Sequence, residues 1–100
     1  MFVRVGKADQ VRAGEIRAFE VDGVPVAFVR VDDRFYAFDD TCTHAGCSLA
    51  DGDLEGTTVT CSCHGSQFDV RSGEVLKGPA EEPVRSHPVR VEGDDLLTEA

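Results

Sequence analysis

The least polar stretch of the chain is Val24 to Val31, where Val, Pro, Val, Ala, Phe and Val run uninterrupted before Arg30. It is too short for a typical helix and is bounded by Asp22-Gly23 and Asp32-Asp33, so it predicts a strand buried on both faces. Before it, Glu15 to Val21 places Ile16, Ala18 and Val21 in imperfect alternation with charge. That pattern predicts a strand joined to the first by a hairpin at Asp22-Gly23. Arg34 to Phe38 completes a three-stranded meander. Residues 2 to 5 predict a further strand, as does the β-branched run Thr57 to Thr60. Ser86 to Glu92 and Leu96 to Thr98, joined through Gly93-Asp94-Asp95, predict a closing hairpin. By contrast, Leu49 to Gly56 contains Asp51, Gly52, Asp53, Glu55 and Gly56, and this density of turn chemistry reads as a loop. The expectation is an all-β fold of antiparallel strands forming one domain over residues 1–100.

Composition supports a small globular domain. Hydrophobic residues make up 41% of 100, Gly is frequent at 10 and Trp is absent. A chain of this size buries roughly 65% of its unfolded surface, so covalent or inorganic staples are valuable to it. The first residues carry no signal-peptide core, and the longest apolar run, Val24 to Val29, is too short to span a bilayer. A cytoplasmic location is therefore expected. The net charge is −9, from 19 acidic and 10 basic residues. Asp39, Asp40, Asp51, Asp53 and Glu55 flank one of the two stretches described next. This balance excludes nucleic acid and anionic membrane as partners and suits a partner with a basic docking face. No G-x-G-x-x-G fingerprint is present.

Two stretches carry the candidate chemistry: Cys42-Thr43-His44-Ala45-Gly46-Cys47 and Cys61-Ser62-Cys63-His64-Gly65-Ser66. Each offers a thiolate and an imidazole, as C-x-H in the first and C-x2-H in the second. Such a ligand set suits a tetrahedral zinc or a 2Fe-2S cluster with unlike ligands on its two irons. Structural zinc sites usually pair like with like, as in C-x2-C followed by H-x3-H. Here each half mixes a Cys with a His, so each loop could serve both irons. A four-cysteine cluster fits poorly, because Cys61 and Cys63 are one residue apart. Gly46 and Gly65 closely follow the histidines, as expected where backbone takes positive φ or approaches a ligand, with amides directed at cluster sulfides. His87, next to Pro88, reads as a surface or strand-end histidine.

The strings CTHAGC and CSCHGSQFD resemble the two cluster loops of the Rieske iron-sulfur proteins. The resemblance implies one 2Fe-2S cluster per chain, with Cys42 and Cys61 on one iron and His44 and His64 on the other. It implies a Cys47–Cys63 disulfide, as in the high-potential members, which is unusual for a cytoplasmic protein. It implies a Gly78-Pro79-Ala80 segment that closes over the cluster. Ser66 matches a serine that donates to a cluster sulfide, whereas Phe68 stands where high-potential members carry a tyrosine, so an intermediate potential is expected. Neutral charge in the oxidised mixed-ligand centre raises the potential above that of all-cysteine clusters, and imidazole ligation couples reduction to protonation at alkaline pH. The implied fold is a small Rieske-like β-sandwich with a cluster-binding subdomain, about residues 40–80, built from two loops on strand ends. The implied function is a monomeric one-electron carrier, itself no enzyme, between an NAD(P)H-dependent flavoprotein reductase and a terminal oxygenase. The alternatives are an electron-transfer subunit of a larger oxidase or nitrite-reductase type, and a zinc-stabilised interaction module.

Overall fold

The computed structural model describes residues 1–44 and 46–99. Eleven strands, β1 Val3–Lys7, β2 Ile16–Val21, β3 Val24–Val31, β4 Arg34–Asp39, β5 Asp53–Glu55, β6 Thr58–Thr60, β7 Gln67–Asp69, β8 Val75–Lys77, β9 Ser86–His87, β10 Val89–Glu92 and β11 Asp95–Thr98, form three antiparallel sheets. Their orders are β2-β3-β4-β9, β1-β11-β10 and β5-β6-β7-β8. The first sheet is the middle layer.

β3 shows why. Val26, Ala27, Phe28 and Val29 are all fully buried, as the apolar run predicts. Val26 and Phe28 face a core shared with Val21, Ala37 and Leu96, and edged by Val3, Val5 and Val89 of the β1-β11-β10 sheet. Ala27 and Val29 face the opposite core, with Phe38, Leu49, Val59, Phe68, Val70, Ala80 and Val84. The two-residue period of one strand therefore feeds both cores. The expected hairpin is present, with Val21 paired to Val24 across Asp22 and Gly23, both at positive φ.

Three elements differ from expectation. Leu49 to Gly56 is not a plain loop: it holds a 3-10 turn, Leu49–Asp51, and then β5, whose Leu54 pairs with Val59. Gly52 makes this possible, because a Cβ there would run into the Thr60 carbonyl oxygen. The strand β8, pairing Val75 with Phe68 and Lys77 with Gln67, adds an edge to the same sheet. Ser86 to Glu92 is two strands, not one. Pro88 lacks the N–H that a ladder needs, and the chain changes sheet there, from β9 against β4 to β10 against β11.

Candidate metal centre

The first motif loop runs from β4 into the 3-10 turn Leu49–Asp51 and the second joins β6 to β7, and the two close in the same way. In the first, the Cys42 N–H donates to the Cys47 carbonyl (2.8 Å) and the Gly46 N–H to the Cys42 carbonyl (2.9 Å). In the second, the Cys61 N–H donates to the Ser66 carbonyl (2.8 Å) and the Gly65 N–H to the Cys61 carbonyl (3.1 Å). Each is thus a six-residue loop with Cys first, Gly fifth and a closing residue sixth. Gly46 and Gly65 take positive φ, 72° and 79°, as expected. Their amides, however, are engaged by the cysteine carbonyls within each loop; this corrects the expectation that they point at sulfides.

The loops carry the expected donors. Cys42 and Cys61 are free cysteines, each 2% exposed. His44 and His64 are exposed, with ring centroids 5.2 Å apart and planes at 84°. Cys47 and Cys63 form a disulfide that joins the loops, with Cα atoms 6.5 Å apart. The sulfurs of Cys47, Cys61 and Cys63 lie within 4.8 Å of one another. Two buried thiols and two solvent-facing imidazoles, on loops joined by the bond that removes the other two cysteines as ligands, fit a centre of unlike halves better than a tetrahedral zinc knuckle.

A family comparison decides the matter: the model for the Rieske [2Fe-2S] domain matches residues 1–88. The chain belongs to the Rieske [2Fe-2S] domain family. Among Rieske relatives, the ferredoxin subunit of biphenyl dioxygenase from Pseudomonas sp. (strain KKS102) is 39% identical, over 98% of this chain and 91% of its own length. The ferredoxin of carbazole 1,9a-dioxygenase from Nocardioides aromaticivorans IC177 superposes with a TM-score of 0.94 at 37% identity, covering 98% of this chain and 96% of that one. The ferredoxin in a complex of reduced oxygenase and oxidised ferredoxin in carbazole 1,9a-dioxygenase matches with a TM-score of 0.91 at 35% identity, covering 97% and 91%.

Around the Rieske loops, Ser66 is fully buried and its Oγ accepts the Ala80 N–H at 3.0 Å, which leaves the hydroxyl hydrogen free to donate. Phe68 is fully buried and packs in the cluster-side core opposite Val59. Exposed Pro79 lines a groove of about 360 Å³ with Thr43, His44, Glu81 and Glu82.

Three contributors escaped the sequence reading. Asp40 is not a surface acid: it is 5% exposed, its Oδ1 accepts the Ala50 N–H (2.8 Å), its Oδ2 accepts the Ser48 hydroxyl, and its carbonyl accepts the Leu49 N–H (2.6 Å). It pins the exit of the first loop to its entrance. An Asp at a strand end with a Ser in the following loop was the available signal. His87 is at a strand end but not at the surface. It is 7% exposed, with Nε2 2.6 Å from Asp39 Oδ1 and Nδ1 2.9 Å from the Glu99 carbonyl oxygen. Thr43 donates from Oγ1 to the Glu82 carbonyl at 2.7 Å, and nothing local in the sequence announces that pairing across 39 residues.

Proposed function

We propose that this chain is a one-electron carrier, with Cys42 and Cys61 holding one iron of a 2Fe-2S cluster and His44 and His64 the other. The observation that carries the reading is the pairing of two buried free thiols with two exposed imidazoles 5.2 Å apart, presented by two loops of matching closure. When bound, the cluster supplies reversible one-electron chemistry without a substrate pocket. The protein's own residues do the rest. The thiols keep the far side of the centre dry, and the imidazoles bring its near edge to the surface, where a partner can approach. Ser66 has a hydroxyl hydrogen available for an acceptor that grows more negative on reduction.

The donor in this reading is an NAD(P)H-dependent flavoprotein reductase, and the acceptor is a terminal oxygenase. The relatives' names, ferredoxins of dioxygenase systems, support that placement, as does the solved oxygenase–ferredoxin complex. We further read the chain as a carrier and not a catalyst, as a cytoplasmic monomer, and as one Rieske domain over residues 1–100 whose cluster-binding subdomain spans about 40–80. Among the described residues, no helix is long and apolar enough to cross a membrane.

A second reading, a Rieske subunit of a larger oxidase or nitrite-reductase type, is favoured by one feature, the Cys47–Cys63 disulfide. Potentiometric titration of the purified coloured protein separates the two. A midpoint near about −150 mV supports the oxygenase chain, and one above roughly +100 mV sinks it in favour of the second reading. A potential independent of pH into the alkaline range would remove the histidines as ligands.

A further inference from the structure

The centre is enclosed by three segments: the loop of Cys42 to Cys47, the loop of Cys61 to Ser66, and the strap formed by residues 78–83. The two loops are joined covalently through Cys47 and Cys63. The strap is held differently. It is fixed at one end by the β7–β8 pairing of Gln67 with Lys77, and just beyond the other by the Val84 N–H donating to the Gly73 carbonyl at 3.0 Å. Between these anchors, two hydrogen bonds hold it among the described residues. One is buried, from the Ala80 N–H to Ser66 Oγ at 3.0 Å; the other is exposed, from Thr43 Oγ1 to the Glu82 carbonyl at 2.7 Å.

We propose that the strap is the gate through which the centre is loaded and through which it loses iron, and that Thr43 is the latch. An exposed hydrogen bond competes with water and opens before buried ones, so the Thr43–Glu82 contact is the weakest link in the enclosure. Ala80, 4% exposed and packed in the cluster-side core, is the pivot. Swinging about it moves Glu81 and Glu82 away from the groove they share with Thr43 and His44. Glu81 and Glu82 are exposed, and neither has an ion-pair partner among the described residues, so no charge pair adds to the Thr43 bond in holding the strap closed. Thr43 is thus a positioning residue. It acts on the surroundings of His44 through the strap, and the bond it makes there needs a hydroxyl and not a methyl.

This inference rests on the carrier reading, and its test separates the two. The coloured protein is mixed with excess bathophenanthroline disulfonate under reducing conditions, and the loss of visible absorbance is timed for wild type, Thr43→Val, Thr43→Ser and the pair Glu81→Gln/Glu82→Gln. The latch predicts that Thr43→Val loses iron at least fivefold faster, and that Thr43→Ser and the paired Gln variant, which keeps the Glu82 carbonyl, both stay within twofold of wild type. Amide hydrogen exchange at Ala80 to Glu82 should rise at least fivefold in Thr43→Val, while β3 and β4 amides keep wild-type rates. Wild-type iron loss in Thr43→Val, loss as fast in Thr43→Ser as in Thr43→Val, or loss at least fivefold faster in the paired Gln variant would each overturn the latch. A wild-type protein that isolates without iron and sulfide refutes the carrier reading instead, and the exchange comparison on that protein still decides the latch.

Discussion

Ser66 contributes two things from one hydroxyl: it accepts from Ala80 and keeps a hydrogen to give. On the proposed carrier reading, replacing it by Ala removes a donor to a group that gains negative charge on reduction, an interaction worth about 1.5–3 kcal/mol. The expected outcome is a midpoint lower by roughly 60–120 mV, at 59 mV per tenfold for one electron, read by potentiometry. The Cys47–Cys63 bond closes a 15-residue loop in the unfolded chain. Paired Ser substitution should therefore cost about 3 kcal/mol on the loop-entropy model, measured by chemical denaturation. Asp69 receives the Arg71 guanidinium at 2.9 and 3.0 Å and the Arg71 N–H at 2.9 Å, and that guanidinium holds its carboxyl below the usual carboxylate range. A depressed folded value stabilises the fold above the unfolded pKa of about 3.9 and loses its effect as pH falls through the folded value. Asp69→Asn should accordingly have a lower denaturant midpoint than wild type at pH 7, with the gap closing as the pH falls through the lowered folded value.

At the level of elements, the Arg71 turn depends on Gly73. Its φ is +83°, and a Cβ there would meet the Val84 carbonyl that the returning chain carries past it. Gly73→Ala should cost at least about 1–2 kcal/mol from the left-handed backbone alone, seen as a lower thermal midpoint and loss of the Val84 N–H protection. The elements legible in advance were those whose own residues decide their environment. β3 is apolar on both faces, β2 and β3 meet at Asp22-Gly23, and the two cysteine-histidine strings are explicit. β5 was not legible, because Asp53 and Glu55 point outward and only Leu54 is half-buried. Three residues of turn chemistry become a strand only because Thr58–Thr60 lies alongside. His87 was misread for the same reason: Asp39, 48 positions away, and the Glu99 carbonyl complete its environment. The loop amides show a subtler limit. Positive φ at Gly46 and Gly65 followed from residue type, but where each N–H goes was set by carbonyls that only the folded loop brings round.

Across the whole molecule, charge is unevenly shared. Residues 40–83 carry eight acids and two bases, and Arg71 is already paired with Asp69. A lobe this acidic around the exposed imidazoles should steer a basic partner. Electron-transfer rates with a reductase or oxygenase are therefore expected to fall roughly tenfold or more as ionic strength is raised from low to near-molar, measured by stopped flow. The middle sheet has a consequence for modularity. Ala27, Val29 and Phe38 form the wall behind Cys42 and Cys61, yet they belong to strands outside residues 40–83. The stretch containing every proposed ligand is therefore not a portable cassette. Transplanted alone into a foreign host it would bring the chelating groups and leave behind the surface they rest on, whereas a graft that also brings β3 and β4 takes with it half of the second core.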